Sequence, residues 1–317
     1  MKKIIILFTI SLLIISCERK TETLGPNLSD IYGGFQVFED FEASRNNVDF
    51  YNSESVVFTC RFSKQVKWTI HVIGQTSGAK KVLTGFSNFI DETNGGAWDG
   101  TTTMLPMFKN EANLAYLTVD AIDTAYSDTL NNLISIDGVR DNGGSLVSDF
   151  NNGLNPGFNV FVQSGADMRF DTVTDPKSPE GTAFYEMSGD VAFADDLGNI
   201  MMPKSAFTDS ISLNTNGEVV YFNVFAKKGP QAVSDIFVFQ FIEEDNDIHE
   251  YVFQGLTEEW QQFSIAYADL TTTITAGGGF KNPDKLAQIV VLPIGIKLPF
   301  EGFIDYMVFT ENGPLIP

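Results

Sequence analysis

The side chains of this sequence that could do chemistry are concentrated in one acidic stretch. Residues 243–250 read Glu-Glu-Asp-Asn-Asp-Ile-His-Glu. A glycosidase of the retaining type needs two carboxyl groups about 5 Å apart, and Asp245, Asp247 and Glu250 are the candidates here. However, alternating apolar residues run up to this stretch and resume after it, as in the two strands of a hairpin. We therefore predict that residues 243–250 form the solvated tip of a hairpin. The alternatives are a loose cation site and a catalytic pair of carboxyl groups, and a solvated tip favours neither.

The other residues with reactive side chains fit no catalytic pattern. The two histidines, His71 and His249, fall in separate strand-like segments and lack the ligand spacing of a zinc site. Gly277–Gly279 follows a Thr-rich segment and opens no helix, so it is not a phosphate-binding loop. Cys60 lies in an apolar run and is predicted to be a buried, inert thiol. We expect two ordinary strand histidines and a protein that is not an enzyme.

The first 17 residues predict export. Two lysines are followed by an apolar run of about 12 residues, too short to span a bilayer core of about 30 Å. Residues 14–17, Ile-Ile-Ser-Cys, resemble the lipobox of bacterial lipoproteins, in which the peptide before the cysteine is removed and the thiol carries lipid. The resemblance implies a signal peptide over residues 1–16 and lipid on Cys17. The alternative is an ordinary cleaved signal that ends in a chance cysteine.

Composition limits the partners of the mature chain. Removal of residues 1–16 leaves 18 basic residues against 41 acidic ones, a net charge of −23. Such a surface repels nucleic acid and anionic headgroups, which excludes both as partners. With 43% hydrophobic residues and 28 phenylalanines, the chain can nevertheless build a core. Residues 17–34 are polar and aperiodic and predict a flexible tether to the membrane.

Residues 35–144 predict a small β-domain and a connection. Short β-branched and aromatic runs recur between Gly, Asn and Asp, the pattern of an all-β protein. Trp68 in an alternating strand, the turn at 74–78 and the sequence Trp98-Asp99-Gly100 resemble immunoglobulin-like modules of bacterial exported proteins. The resemblance implies an immunoglobulin-like sandwich, followed by a connection over residues 121–144 with one possible strand at 134–139.

Residues 145–317 predict a second β-domain. Alternation predicts strands over residues 218–226, 235–242, 248–254, 260–267, 286–292 and 302–309. Four features, in residues 149–153, 179–182, 259–270 and 302–309, resemble carbohydrate-binding modules with a galactose-binding-like jelly roll. The fold expected for the whole chain is therefore all-β, an immunoglobulin-like sandwich followed by a jelly-roll sandwich.

The same resemblance implies a structural calcium ion. Modules of this family often bind calcium through the first strand, a loop before a glycine and the aspartate of the last strand. The matching positions here are Asn151, Gly181, Thr182 and Asp305. Asn151 departs from the family's acid and brings less charge to the site. The alternative is that Asp305 caps a strand end by hydrogen bonding.

Sugar binding requires aromatic rings together with amides or carboxylates for hydroxyl groups. Strand alternation places such side chains opposite the core-facing residues, and two exposed turns add further rings. The predicted ligand contacts are a shared concave face of Tyr221, Asn223, Gln240 and Tyr251, and the exposed aromatics Phe280 and Trp98. The alternative is a solvated outer face of an antiparallel sheet.

The order of these segments is similar to the surface glycan-binding lipoproteins of polysaccharide-utilisation systems in Bacteroidetes-type bacteria. The resemblance implies an outer-membrane lipoprotein, exposed at the cell surface, that captures polysaccharide or oligosaccharide without cleaving it. Its partners would be the glycan, the membrane through the lipid on Cys17, and components of an outer-membrane glycan importer. Two alternatives stay open: a structural or adhesion lipoprotein that makes protein contacts, and a jelly-roll glycoside hydrolase or polysaccharide lyase.

Overall fold

A computed structural model describes residues 33–121, 124–189, 198–233, 236–294 and 299–317. The predicted signal peptide, Cys17 and the tether up to residue 32 lie outside the described residues. No helix within the described ranges is long and apolar enough to cross a membrane.

The regular secondary structure of the described residues consists almost entirely of β-strands. In chain order these are β1 (Val37–Ala43), β2 (Asn47–Asp49), β3 (Val56–Gly74), β4 (Lys80–Ile90), β5 (Ala97–Trp98), β6 (Ala112–Ala121), β7 (Thr124–Thr129), β8 (Ile134–Gly138), β9 (Ser145–Ser148), β10 (Asn159–Val162), β11 (Met168–Thr174), β12 (Ala183–Gly189), β13 (Gly198–Pro203), β14 (Val220–Lys228), β15 (Ile236–Glu243), β16 (Asp247–Phe253), β17 (Gln261–Ala266), β18 (Thr271–Thr275), β19 (Leu286–Ile294) and β20 (Phe300–Glu311). Short 3-10 turns lie at Phe50–Asn52, Glu92–Asn94, Lys204–Ala206, Tyr267–Asp269 and Pro283–Lys285.

Strands β1–β8, here called the N-terminal half, form one eight-stranded sheet around the long strand β3. The end of β3 lies between β4 and β6, while its start pairs with β1 and β5. Trp68 of β3 is fully buried and donates from its indole nitrogen to Ser87 Oγ at 2.9 Å. Gly85 faces this ring across the strand pair, and a Cβ atom there would lie 2.2 Å from Trp68 Cζ2. A glycine is therefore required where the indole crosses β4.

Strands β9–β20, here called the C-terminal half, form two six-stranded sheets that face each other over a common core. One sheet has the order β10-β13-β19-β15-β16-β18, and the other has the order β11-β12-β20-β14-β17 with β9 paired to β20. Alternate residues of β14 and β15 point inward, so that the ring of Phe222 lies 5.6 Å from that of Phe239 and 5.0 Å from that of Phe241. These contacts between the sheets are the packing of a β-sandwich.

The all-β, sandwich-like architecture expected from the sequence is confirmed. Each of the six strands predicted in the C-terminal half lies within about two residues of an observed strand. The possible strand at 134–139 is observed as β8, and the segment predicted as a connection also contains β7; both strands pair with β6 of the N-terminal half.

The two halves contact each other through a small apolar cluster and several backbone hydrogen bonds. Met107 of the N-terminal half packs with Phe225, Val308 and Leu315 of the C-terminal half. Beside this cluster the backbone N–H of Met107 donates to the carbonyl of Pro179 at 2.8 Å. The contact brings residues that are far apart in the sequence together at the boundary between the two halves.

Candidate functional site

A cleft of about 500 Å³ lies at the boundary between the two halves. This volume is within the range of about 300–1,000 Å³ that is usual for small-ligand sites. Its walls carry two tyrosine rings and a set of charged and amide side chains. Among the lining residues are Tyr51, Lys109, Asn110, Arg140, Asp141, Asn142, Glu180, Gly181, Thr182 and Tyr306. Rings and hydrogen-bonding groups together are the combination that sugar recognition requires.

A bulge in β20 directs Tyr306 into the cleft. Between the pairs Asn223–Val308 and Phe225–Asp305 the register of β14 and β20 shifts, and Tyr306 adopts a positive φ of 44°. A bulge inserts an extra residue and so changes the direction in which side chains point. The Tyr306 ring stacks on Phe225 with the ring centroids 5.7 Å apart.

Basic side chains from the N-terminal half reach across the boundary. The Lys109 ammonium donates to the Pro176 carbonyl at 2.6 Å and to Ser178 Oγ at 3.3 Å. The Arg140 guanidinium donates to the Ile316 carbonyl at 2.6 Å. Burial lowers the pKa of Lys109, while nearby Glu180 acts in the opposite direction. These contacts hold the basic groups of the cleft in place.

Two desolvated carboxyl groups form what is here called the acidic wall: Glu180, which lines the cleft, and Asp305, which lies behind it. Asp305 is fully buried, and burial together with repulsion from Glu180 raises its pKa well above the usual range. Burial also raises the pKa of Glu180, and Asp149 adds to the effect. Burial raises the pKa of the Tyr306 phenol to about 12, so the ring is a neutral hydroxyl donor at physiological pH.

The four residues predicted to bind calcium come together beside this acidic wall. Asn151 Oδ1 accepts from the Thr182 N–H at 2.6 Å, and its amide group donates to Glu180 at 2.8 Å. Asp305 Oδ2 accepts from the Glu180 N–H at 3.1 Å. Gly181 has a φ of +48°, and a Cβ atom there would lie 2.0 Å from Asn151 Oδ1.

The chemistry of this group suits a hard cation, because its carboxyl groups are desolvated and repel one another. Glu180 and Asp149 extend the predicted set with two acids that were not assigned from the sequence. Asn151 Oδ1 and Asp305 Oδ2 already accept hydrogen bonds from the backbone. Calcium binding here stays a prediction.

The predicted concave sugar-binding face is wrong, because its residues lie on three different surfaces. Tyr221 and Asn223 lie on the outer side of the sheet that contains β14, since Val220, Phe222 and Val224 face the core. Gln240 lies on the outer side of the opposite sheet and donates to Glu250 at 2.7 Å. The Tyr251 ring packs 4.8 Å from that of Phe253 at the core. Strand alternation shows which residues share a side of one strand, but it does not show which strands are neighbours in a sheet.

Two of the predicted ligand contacts are inaccessible. Asn223 is fully buried, and its side chain bonds to Thr310 Oγ1 at 2.9 Å and to the Leu315 N–H at 3.0 Å. Trp98, predicted to be exposed at a turn, is 0% exposed because Phe50 and Phe108 enclose its ring at 4.8 and 4.7 Å. Both residues stabilise the fold.

Phe280 is exposed as predicted, with 74% of its surface accessible, but it is not among the residues that line the cleft. It lies in the loop between β18 and β19. Its role in ligand binding stays a prediction.

The prediction that the carboxyl groups of residues 243–250 are solvated is wrong for Glu243 and Asp247, which are fully buried. The turn at 244–246 between β15 and β16 and the side chain of Glu250 are at least partly accessible, and His249 lies in a strand as expected, fully buried. Glu243 lies on the same, inward-facing side of β15 as Phe237, Phe239 and Phe241. Asp247 lies on the same side of β16 as His249 and Phe253. Alternation along the two strands therefore predicts that both acids are buried, although their charge favours a solvated turn.

No protein-family model matches the sequence, and no curated protein matches it. Solved structures similar to this chain are carbohydrate-binding modules. One is the family 11 module from Clostridium thermocellum in complex with a β-1,3-1,4-mixed-linked tetrasaccharide, with 13% identity, 55% of this chain and 98% of that chain covered, and a TM-score of 0.39. Another is the CBM22-1 xylan-binding domain from Paenibacillus barcinonensis, with 11% identity, coverages of 55% and 96%, and a TM-score of 0.32.

An exo-β-agarase is also similar, with 12% identity and a TM-score of 0.40, over 55% of this chain and 25% of the agarase chain. The assignment of the fold rests on the strand order of this chain itself.

Proposed function

We propose that this protein is a lipid-anchored lipoprotein that captures polysaccharide at the cell envelope in the cleft between its two halves, without cleaving it. The observation that carries the proposal is the joint presence of Tyr51 and Tyr306 with amide and charged side chains around one cleft of about 500 Å³. The order of signal peptide, tether and two β-domains, read from the sequence, supports the envelope setting.

Tyr51 is the ring best placed to stack on a sugar. Its side chain is 67% exposed at the mouth of the cleft, so a pyranose can cover its face without displacing protein. Asn142 and Arg140 also line the cleft and carry N–H groups that can donate to sugar hydroxyl groups. Stacking combined with a few hydrogen bonds gives modest affinity at a single site, and tethering at the membrane adds effective concentration.

Calorimetry with a panel of neutral β-glucan, mannan and xylan fragments tests this assignment. Replacement of one stacking ring removes about 1–1.5 kcal/mol, so we expect Tyr51→Ala to weaken binding about tenfold. The matched control is Phe86→Ala, which removes an equally exposed ring from the N-terminal half outside the cleft lining. Phe280→Ala tests the other exposed aromatic. If Phe280→Ala weakens binding while Tyr51→Ala does not, the cleft is the wrong site.

The envelope part of the proposal has its own test. We expect the chain produced in cells to fractionate with the outer membrane, and Cys17→Ser to release it. A pull-down of glycan by intact cells then reports exposure at the surface. Retention of Cys17→Ser in the membrane would exclude anchoring by lipid on that residue.

A calcium ion at the acidic wall belongs to the same proposal. Asp149, Asn151, Glu180 and Asp305 would hold it, and the ion would neutralise carboxyl groups that repel one another. We expect CaCl₂ to raise the melting temperature of the EDTA-treated protein and Glu180→Gln to reduce that rise. An equal melting temperature in calcium and in EDTA would exclude the ion.

Hydrolysis is the second candidate function, because Glu180 and Asp141 line one cleft and burial raises the pKa of Glu180 towards that of a general acid. Incubation with the same glycan panel and analysis of reducing ends distinguishes the two. Products that appear with the wild type and vanish with Glu180→Gln would establish an enzyme. Binding without products supports capture.

A further inference from the structure

A second cluster of ionisable side chains lies within the C-terminal half, apart from the cleft lining. Glu243 is the last residue of β15, and Asp247 and His249 lie at the start of β16, so the hairpin places all three on its inner side. One carboxylate oxygen of each acid and one ring nitrogen of His249 lie within 4.8 Å of one another. All three side chains are fully buried.

Backbone and phenol groups already hold the two carboxyl groups in position. Asp247 accepts from the Gly277 N–H at 2.5 Å and from the Gly279 N–H at 2.6 Å. Glu243 accepts from the Asn282 N–H at 2.6 Å and from the Tyr267 hydroxyl at 3.1 Å. These neutral donors orient the carboxyl groups but bring no positive charge.

Two carboxylates that are buried side by side are strongly disfavoured unless a counter-charge lies beside them or a proton neutralises one of them. Within the described part of the chain, neither Glu243 nor Asp247 forms an ion pair with a lysine or arginine. Lys285, in the 3-10 turn before β19, pairs with Asp245 in the turn at 3.6 Å. The positive charge nearest to the two carboxyl groups would therefore be that of His249 or of a bound cation.

The imidazole of His249 is arranged as a ligand. Its Nδ1 lies 3.0 Å from Thr272 Oγ1, a contact that orients the ring. Its Nε2 is buried and lies 3.1 Å from Glu243 Oε1, yet the ring geometry gives it no hydrogen bond to any described residue. When Nδ1 donates to Thr272, Nε2 presents a lone pair to a carboxylate oxygen. Two acceptors at this distance repel each other unless a cation lies between them.

We propose that Glu243, Asp247 and His249 bind a divalent transition-metal ion, with Zn²⁺ as the expected ion. Ligand atoms about 2.0–2.2 Å from a common zinc ion lie about 3–3.6 Å apart, close to the separation of His249 Nε2 and Glu243 Oε1. An imidazole ligand favours Zn²⁺ over Ca²⁺ and Mg²⁺, which prefer oxygen ligands alone. The contact between Thr272 and Nδ1 is the outer hydrogen bond that metal-binding histidines usually make.

The consequence of this site is structural. Its ligands are also the residues that accept hydrogen bonds from the backbone of Gly277, Gly279 and Asn282. A bound ion would therefore fasten the loop between β18 and β19, which carries Phe280, to the hairpin of β15 and β16.

The test is a titration of the metal-free full-length chain with Co²⁺, followed by displacement with Zn²⁺, in excess CaCl₂ so that sites for hard cations are filled. We expect one Co²⁺ per chain with visible d–d bands, and a melting temperature that Zn²⁺ raises. The chain has only two histidines, so His71→Gln is the matched control and should bind like the wild type. His249→Gln should abolish the bands and the rise in melting temperature.

A milder variant separates metal binding from folding. Thr272→Val keeps all three ligands and removes only the hydroxyl group that orients the ring, so we expect it to weaken Co²⁺ binding about 10- to 100-fold. The proposal is overturned if the folded wild type binds no Co²⁺ or Zn²⁺. It is equally overturned if His249→Gln binds the metal like the wild type.

Discussion

Replacement of Asn223 by alanine tests the distinction between a residue that stabilises the fold and one that contacts ligand. The side chain is buried between β14, β20 and the segment that follows β20. It donates to Thr310 Oγ1 at 2.9 Å and, at 3.3 Å, to the Val308 carbonyl, and it accepts from the Leu315 N–H at 3.0 Å. The variant Asn223→Ala leaves the Leu315 N–H without its partner, whereas Thr310 Oγ1 keeps its hydrogen bond to the Gly313 carbonyl at 2.7 Å.

The contact with the Leu315 N–H sets the magnitude. A buried polar group that loses its partner costs about 1–3 kcal/mol, so the unpaired N–H predicts a loss of about 2 kcal/mol. For 150–250 residues, 1 kcal/mol corresponds to about 2–4 °C in melting temperature, so we expect a fall of roughly 6 °C. Urea unfolding followed by circular dichroism measures the free energy of unfolding directly.

Asn152→Ala is the matched control, since Asn152 is exposed and such changes usually stay within about 0.5 kcal/mol. We expect glycan affinity to be unchanged in Asn223→Ala at temperatures where the variant is folded. Normal stability together with a selective loss of glycan binding would refute the reasoning and restore Asn223 as a ligand contact.

Three further changes probe other parts of the structure. Gly85→Ala forces a Cβ atom against the Trp68 indole and should destabilise by about 1–3 kcal/mol in thermal unfolding, and an unchanged melting temperature would contradict that contact. Asp305 and Glu180 have raised pKa values, so the folded chain binds protons on these groups more tightly than the unfolded chain does. The free energy of unfolding in EDTA should therefore fall as pH rises above about 4. Glu180→Gln should flatten that fall, and an equally steep profile would argue against the coupling. Burial raises the pKa of the Cys60 thiol to about 12, so the thiol should not react with iodoacetamide at neutral pH while the chain is folded. Mass spectrometry of the peptide that contains Cys60 should show the modification only after unfolding.

The strands could be predicted from the sequence because alternation is a local property. Phe237, Phe239 and Phe241 alternate with polar or smaller residues, and the strand they predict is β15 with these rings inside. The same rule applied two residues further would have placed Glu243 inside. Its charge made a solvated turn the simpler interpretation, and only the donors from Asn282 and Tyr267 show how its burial is tolerated.

Features that depend on irregular backbone or on distant contacts could not be predicted in this way. The bulge that directs Tyr306 into the cleft interrupts the alternation on which the strand prediction rests. Trp98 lies next to a turn, where exposure is the usual expectation, and its burial depends on rings contributed by Phe50 and Phe108. Neither partner is specified by the local pattern.

The proposed binding site could not be predicted from strand alternation, because alternation groups residues only within one sheet face. Tyr51 comes from the N-terminal half, Arg140 from the segment between β8 and β9, and Glu180 and Tyr306 from the C-terminal half. The position of these residues relative to one another depends on the contact between the halves, including the hydrogen bond from Met107 to Pro179. The N-terminal half is therefore part of the proposed binding site, and a role as a mere spacer between membrane and module does not account for its side chains in the cleft.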